Sequence, residues 1–502
     1  MNRPQIFSAL FVAFSLVAQE APLPDASHLT LQDAIETSLK NNLQVQISAQ
    51  TRETAKANLL YNEGAFDWLL TSGLTLSHSK SVFENKQLSL TQPPVSGRST
   101  TDARDWTVGL NKPFVWGGTF QLNYHPSYSS TESAISGYAP HTTEAPYTGT
   151  FSATYTQSLL RNFGREASAS SLIVAQYGSK AADYTFQLAV INQVASTESA
   201  YWDVVYAKRD LENKQQALAV AQQQLKENQI RVQVGTLAPI EVTSAEASVA
   251  QAEQNIIASE AQLLNAKDAL IRILYPTSER PKGLETVDQP NVKPLPMDET
   301  TAVQTALENR VELKGAELDL AAKRVLERAA NNRTLPQLDL NVGYNDSASN
   351  YATYSPVNTD LARGKNPGYT VGLQFALPLQ NRAAKGNLAL ARANRRSSEL
   401  SLHDLELGIT LQVRQAFRNL DAASKGVTAA QKTRIYDEQD LDAERKKFEN
   451  GMSTNFLVLS KLNTLDAARG AELQAQINYA KAVTALDQAM GRLLQARHLD
   501  VK

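Results

Sequence analysis

The chain contains no cysteine. Disulfides and thiolate metal sites are therefore excluded, and so is a lipid carried on an N-terminal cysteine. An excess of one charge is also missing, because 49 Lys and Arg stand against 51 Asp and Glu for a net charge of -2. Such a chain has no basic field with which to hold nucleic acid. Long hydrophobic runs are absent too: 42% of residues are hydrophobic, but no stretch reaches the ~18 apolar residues of a spanning helix. Entry into a bilayer is then open only to a β-barrel. The six histidines at 28, 78, 125, 141, 403 and 498 are scattered, with no pair at metal-ligand spacing. No glycine-rich phosphate loop, nucleophile elbow or paired catalytic carboxylates stand out. The expectation is a protein without cofactor or enzymatic activity.

Proline is absent where it would be most disruptive. None occurs between Tyr147 and Ala238, and none follows Pro378. These stretches are rich in Ala, Gln, Leu, Glu and Lys, which favours very long helices. In the first, the spacing predicts a helix over Arg165–Val234, with Val190, Thr197, Val204, Leu211, Leu218, Leu225 and Val232 recurring every seventh position. A sustained seven-residue repeat implies supercoiling against a partner helix. Gly235 with Pro239, and later Gly451, interrupt the two runs in the same way. Glycine supplies a helix stop with φ above zero, and proline can open the next helix.

The interruptions belong to an internal repeat. DAIETSLKNNLQVQIS (33–48) matches TAVQTALENRVELKGA (301–316) in apolar spacing. The first repeat spans 29–275, with strands at about 68–158 and a hairpin tip at 235–239; the second spans 300–495, with strands at about 336–378 and a tip at 451–455. A proline-rich linker, 276–299, joins them. At the start, Arg3 precedes the apolar stretch 6–18 and a polar continuation, the order of a secretory signal covering residues 1–18.

The strand regions alternate strictly. Leu338, Leu340, Val342 and Tyr344 share one face, as do Tyr369, Val371, Leu373 and Phe375. The first repeat repeats the pattern at Leu70/Leu74/Leu76, Trp106/Val108/Leu110, Phe120/Leu122/Tyr124 and Phe151/Ala153/Tyr155. Period two with aromatic ends suits lipid-facing barrel strands, although a soluble half-buried sheet alternates likewise. Segments 79–104, 126–148 and 346–367 read as long polar loops, and 111–118 as a short link. Alternating long and short connections favour the outer-membrane reading. Six candidate strands cannot close a barrel, so the chain must share one with copies of itself.

The opening LTLQDAIETSLKNN (29–42), its echo at 300–310, the junction QSLLRNFGR (157–165) and the paired tips together resemble the TolC family of outer-membrane efflux proteins. The resemblance implies an α+β membrane protein of two internal repeats per chain. A long antiparallel coiled-coil α-helical barrel would continue into a trimeric transmembrane β-barrel. It implies an outer-membrane location, outer-membrane lipid around the barrel, and a homotrimer serving as the passive exit duct of a tripartite efflux system. The partners would be a periplasmic adaptor protein and an inner-membrane pump of RND or ABC type. A type I protein-secretion conduit and a plugged periplasm-spanning structural or adhesion protein remain as alternatives.

By the same resemblance, Gly235, Thr236, Leu237 and Pro239, with Gly451, Met452, Ser453 and Thr454, form tips that dock the adaptor. Glu241, Glu246, Leu457 and Ser460 are the expected tunnel constriction. Family members carry four strands per chain, which favours four of the six candidates for the closed barrel.

Overall fold

In chain order the first half runs α1 (Leu31–Asn41), α2 (Leu43–Gly64), β1 (Leu69–Lys86), β2 (Val95–Pro113), β3 (Gly118–Ile135), β4 (His141–Thr142), β5 (Tyr147–Ser158), α3 (Arg165–Ser168), α4 (Ser170–Gln233) and α5 (Ile240–Leu274). The second runs α6 (Glu299–Asn309), α7 (Val311–Asn332), β6 (Gln337–Tyr351), α8 (Tyr354–Ala362), β7 (Pro367–Ala376), α9 (Arg382–Glu449), α10 (Asn455–Ala489) and α11 (Leu493–Ala496). A computed structural model describes residues 28–86, 95–142, 147–276, 281, 283–292 and 298–499. The expected signal at 1–18 and part of the linker at 276–299 lie outside these residues.

The repeat is visible in element lengths. α1 and α6 each have 11 residues, α2 and α7 each 22, and α5 and α10 each 35. Both halves break their opening helix at one extended residue, Asn42 (φ -66°, ψ 128°) or Arg310 (φ -61°, ψ 120°). Thr30 starts α1 through a capping box, its hydroxyl accepting from the Asp33 amide at 3.2 Å. At the break, Asn41 and Asn42 donate to the carbonyls of Leu274 and Ile273, both at 3.2 Å. Those are carbonyls that the end of α5 would otherwise leave unpaired.

The described residues divide into two compact units, one drawn from 28–46, 189–306 and 412–499, the other from 47–188 and 307–411. The first is helical. Its main core gathers Leu29, Tyr201, Val204, Leu270, Leu274 and Ile477. Leu284 joins this core, and Leu29 bridges Thr286 in parallel, so the described end of the linker is part of the packing. The Tyr201 hydroxyl lies 2.9 Å from the Leu29 carbonyl and 2.7 Å from the Asp288 carboxylate. Burial, then the Asp288 contact, pushes its phenol above the usual tyrosine range. The C-terminal segment is tied in by Arg497, which grips buried Glu198 with two donors at 2.6 and 2.8 Å.

The expected seven-residue seam holds only in part. Val190, Thr197 and Val204 are buried, but further along the buried positions are Ala221, Gln224 and Asn228. A straight 3.6-residue helix drifts from a seven-residue repeat by about 20° per heptad, which moves the seam. The helix expected over 165–234 is also divided, because Ala169 (φ -113°, ψ 28°) separates α3 from α4.

The second unit carries one antiparallel sheet in the order β1-β2-β3-β5-β6-β7, with β4 beside β3. All six long strands therefore belong to one sheet, where the resemblance favoured four. The first three have 18, 19 and 18 residues. Segments expected as loops at 79–104 and 126–148 are largely strand, and 346–367 holds the end of β6 and the helix α8. Past the apolar band these strands are Ser- and Thr-rich on both faces, so no alternation marks them. At the junction 157–165, Asn162 (φ 65°) and Gly164 (φ 88°) turn the chain from β5 into α3. Gly117 (φ 93°) packs against that turn, and a Cβ there would meet the Asn162 carbonyl oxygen at 2.2 Å.

Tyr201→Phe is expected to cost the helical unit about 1–3 kcal/mol, because the hydroxyl's contacts with the Leu29 carbonyl and the Asp288 carboxylate are lost and the Asp288 amide, 3.3 Å away, loses its acceptor. A lowered Tm in detergent, measured by calorimetry, checks this; an unchanged Tm would count against the Tyr201–Asp288 contact.

Candidate functional site

Two regions hold the features a membrane duct needs, and each is built from the alternation or the interruptions described above. The first is the sheet face. The pairs Leu70–Leu110, Leu110–Leu122, Leu122–Ala153, Ala153–Tyr344 and Tyr344–Tyr369 form one row straight across all six strands. The apolar face is barest on the two edge strands, where Leu74 is 67% exposed and Leu373 68%, and half-buried between them at Leu110, Leu122, Ala153 and Tyr344. The opposite face carries Thr71, Gly73, Thr107, Gly109, Asn123, Thr154, Asn341 and Thr370, in the same register. An apolar face this continuous and this exposed is stable only against another apolar phase.

Aromatic rings edge the band at both ends. Near the helix-linked end, Trp68 meets Phe120 at 6.3 Å and Phe114 stacks on Trp116 at 4.5 Å. Toward the far end, Phe151, Tyr344 and Tyr369 make a chain of contacts at 6.2 and 5.5 Å. Such rings suit the headgroup level of a bilayer, where one edge is apolar and the other wet. Beyond them α8 lies on the same face, with Val357 fully buried over Gly149. A Cβ at Gly149 would come within 2.7 Å of Val357 Cγ1, so glycine lets the helix seat there. The Tyr124 hydroxyl donates to Asn358 Oδ1 at 2.6 Å and holds α8 in place.

The second region is the pair of hairpin tips. Gly235 (φ 78°) and Gly451 (φ 73°) end α4 and α9 in the same way. The amides of Gly235 and Thr236 donate to Val232 and Arg231, and those of Gly451 and Met452 to Phe448 and Lys447. Both are Schellman stops, which satisfy the last helical carbonyls and require the left-handed backbone that glycine adopts freely. Pro239 then precedes α5 with helical backbone and no side-chain cap, whereas Thr454 caps α10 by accepting from the Leu457 amide at 3.4 Å.

Between the tips lies a polar cluster that the sequence did not reveal. Asn228, Asn455 and Gln224 are almost completely buried. Gln224 donates to Asn455 Oδ1 at 3.1 Å, Asn455 donates to Glu241 Oε2 at 3.0 Å, and Asn228 donates to the Glu241 carbonyl at 3.3 Å. Alongside, the Arg231 guanidinium sits 4.5 Å over the Phe448 ring. Leu237 packs on a small apolar core of Leu441, Phe448, Val458 and Leu465. Ser453 donates to Glu444, and Lys447 pairs with it at 3.0 Å. The serine bond first, then the lysine, holds the Glu444 carboxyl below its ordinary range.

The eight expected tip residues thus fall at the two tips. The expected constriction residues do not cluster. Glu241 is engaged with the other hairpin of its own chain, while Glu246, Leu457 and Ser460 are exposed. Large apolar side chains also stand out in water around the tips, namely Val234, Ile240, Met452 and Phe456.

Among the described residues no helix is long and apolar enough to cross a bilayer, and no His, Cys, Asp and Glu grouping could hold a metal. The family model described as outer membrane efflux protein matches residues 120–274 and 302–492, more than half of the 502-residue chain. The chain belongs to the outer membrane efflux protein family. It is similar to the outer membrane protein TolC of Escherichia coli (strain K12), 25% identical over 317 residues, or 62% of this chain and 64% of that protein. It also resembles toxin and drug export protein A of Aggregatibacter actinomycetemcomitans, 21% identical over 76% of this chain and 82% of that one. Among solved structures, the CmeC outer membrane channel of Campylobacter jejuni superposes with a TM-score of 0.63 at 16% identity, over 94% of this chain and 90% of that one. The outer membrane protein VceC of Vibrio cholerae gives 0.63 at 16%, over 92% and 96%. This efflux-family protein therefore has the TolC-like fold, with coiled helical hairpins and a β-domain in two repeats, and it resides in the outer membrane.

Asn455→Leu leaves the Glu241 carboxylate without its Asn455 donor and reduces the Gln224 amide to its bond with Asn228 Oδ1 at 3.1 Å. A loss of about 2–4 kcal/mol is expected, largely restored when Glu241 and Gln224 are also made apolar. Tm values for the single and triple variants check this; equal losses would show that the cluster is not a unit.

Proposed function

We infer that the protein is the passive exit duct of a tripartite efflux system, working as a homotrimer. Small molecules from the periplasm or inner membrane would enter at the hairpin tips and leave through the barrel. The observation that carries this reading is the two-faced sheet. One face is apolar, exposed and edged by aromatic rings, while the other is a Thr-, Asn- and Gly-rich surface suited to water. A sheet facing lipid outside and water inside is what a channel wall requires. The chain carries out no catalytic step in this reading, so the energy comes from a partner. An inner-membrane pump of RND or ABC type would supply it through a periplasmic adaptor.

The exposed apolar side chains at the tips support adaptor docking, because bare Met452, Phe456, Val234 and Ile240 are costly in water unless something covers them. A second reading, export of polypeptide in type I secretion, is favoured by one fact: a relative is named a toxin and drug export protein.

Purified trimers in a planar bilayer are expected to conduct weakly and to conduct more once the tip contacts are broken, as in Asn455→Leu. Gly235→Val or Gly451→Val is expected to abolish export while trimers persist, because a Cβ at φ near +75° strains each helix stop. A bilayer that stays silent with every tip variant would contradict the duct.

A further inference from the structure

The first hairpin of the sheet, β1 with β2, lies outside the stretch that the family model matches. The family match begins at residue 120, inside β3, and takes in β3, β5, β6 and β7 but neither β1 nor β2. Yet β1 and β2 pair along nearly their whole length, from Leu69–Asn111 to Lys86–Val95. β2 is joined to β3 just as closely, from Pro113–Thr119 to Gly97–Ile135. The apolar and polar faces cross all six strands without a change of side. The hairpin is also topologically removable, because β1 begins and β2 ends at the end of the sheet where β3 begins.

The tilt of the apolar band shows what sheet this is. In the row through Leu70 and Tyr369, the band lies beyond the row on β1, over 70–76, and before it on β7, over 369–375. The displacement is about six residues across five inter-strand steps. At ~3.3 Å per residue and ~4.8 Å between strands this is a tilt of roughly 40°, within the range that membrane barrels adopt. The edges match as well. With six strands of alternating direction, β7 of one copy and β1 of the next run antiparallel, and both carry the exposed apolar band.

We propose that all six strands of each chain enter the outer-membrane wall, so that β1 of one copy pairs with β7 of the next and three copies close an eighteen-stranded barrel. This rests on the trimeric duct reading above and deepens it. At that spacing and tilt, twelve strands would give a backbone diameter of roughly 24 Å, and eighteen give roughly 36 Å. The mouth is then about 2.2-fold larger in cross-section than four strands per chain allow. The duct accordingly suits bulky cargo at its outer end, whatever limit the tips impose.

The absence of native cysteine makes the contact directly testable. Continuing the tilt across the seam sets Thr75 of one copy opposite Thr370 of the next, to within one pleat. Full-length Thr75→Cys is combined in turn with Thr370→Cys, Gly372→Cys and Gln374→Cys, all on the polar face, and membranes are oxidised with diamide. At least one combination is expected to turn most of the protein into covalent trimer. Asn123→Cys on β3, combined with the same three, is expected to yield none, because β3 lies between β2 and β5. In a variant lacking residues 69–113 the cross-link is expected to move to the Asn123 series. Cross-linking from Asn123 but not Thr75 in the full chain would overturn the eighteen-stranded wall and leave the trimeric duct standing. No cross-link from either series, with trimers seen by mass photometry, would also overturn the wall. No cross-link with only monomers would overturn both.

Discussion

In hydrocarbon an unpaired peptide group has nothing to bond with, and each one costs several kcal/mol. Every feature of the sheet-bearing unit answers to that constraint. The six long strands satisfy one another across the sheet, which leaves two edges, β1 and β7, that no strand among the described residues covers. Association with further copies is thus a requirement of the backbone before it is a matter of side chains. Side chains then decide where the sheet sits. The tilted apolar band, from 70–76 on β1 to 369–375 on β7, marks the hydrocarbon, the rings around Trp68 and Tyr344 its two borders, and the Ser- and Thr-rich strand ends the water beyond.

The helical unit meets the same constraint differently. Helices close their own hydrogen bonds, so the problem moves to their ends and seams. Each long helix ends in a glycine stop that satisfies its last carbonyls, and Asn41 and Asn42 serve the end of α5. Along the seam, polar side chains replace apolar ones near the tips. Gln224, Asn228 and Asn455 are buried yet fully engaged, and a satisfied polar cluster fixes register where an apolar seam would slide. A network of this kind sets the alignment of two hairpins at little net cost, and it yields when one member is removed.

Much of this could be read from the sequence, and the exceptions have physical causes. Alternation at 70–76, 106–110, 120–124, 151–155, 338–344 and 369–375 located all six strands because a two-faced sheet imposes period two. Gly235 and Gly451 located both tips because only a left-handed residue stops a helix that way. The strand extensions past Leu76 and Tyr128 were unreadable, since residues with water on both sides carry no alternation. The helix α8 was hidden because nine residues with a proline and few apolar positions look like a loop until Gly149 offers them a seat. The tip cluster was hidden for a simpler reason: Gln and Asn in an Ala/Gln-rich helix look solvated whichever way they face. Glu241 is expected from the sequence at a tunnel constriction, and nothing in the sequence indicates the bond it accepts from Asn455 of the other hairpin.

The central claim is that the odd-numbered face of β7 and the even-numbered face of β1 lie against hydrocarbon. Nitroxide side chains placed singly at 69–76 and 368–375 in liposome-embedded protein would test it by collision with oxygen and with a water-soluble nickel chelate. Oxygen accessibility should peak at 70, 72, 74 and 76 and at 369, 371, 373 and 375, with nickel accessibility peaking at the alternate positions. Equal exposure of both faces to the nickel chelate would mean that the sheet stands in water, and the membrane wall would be wrong.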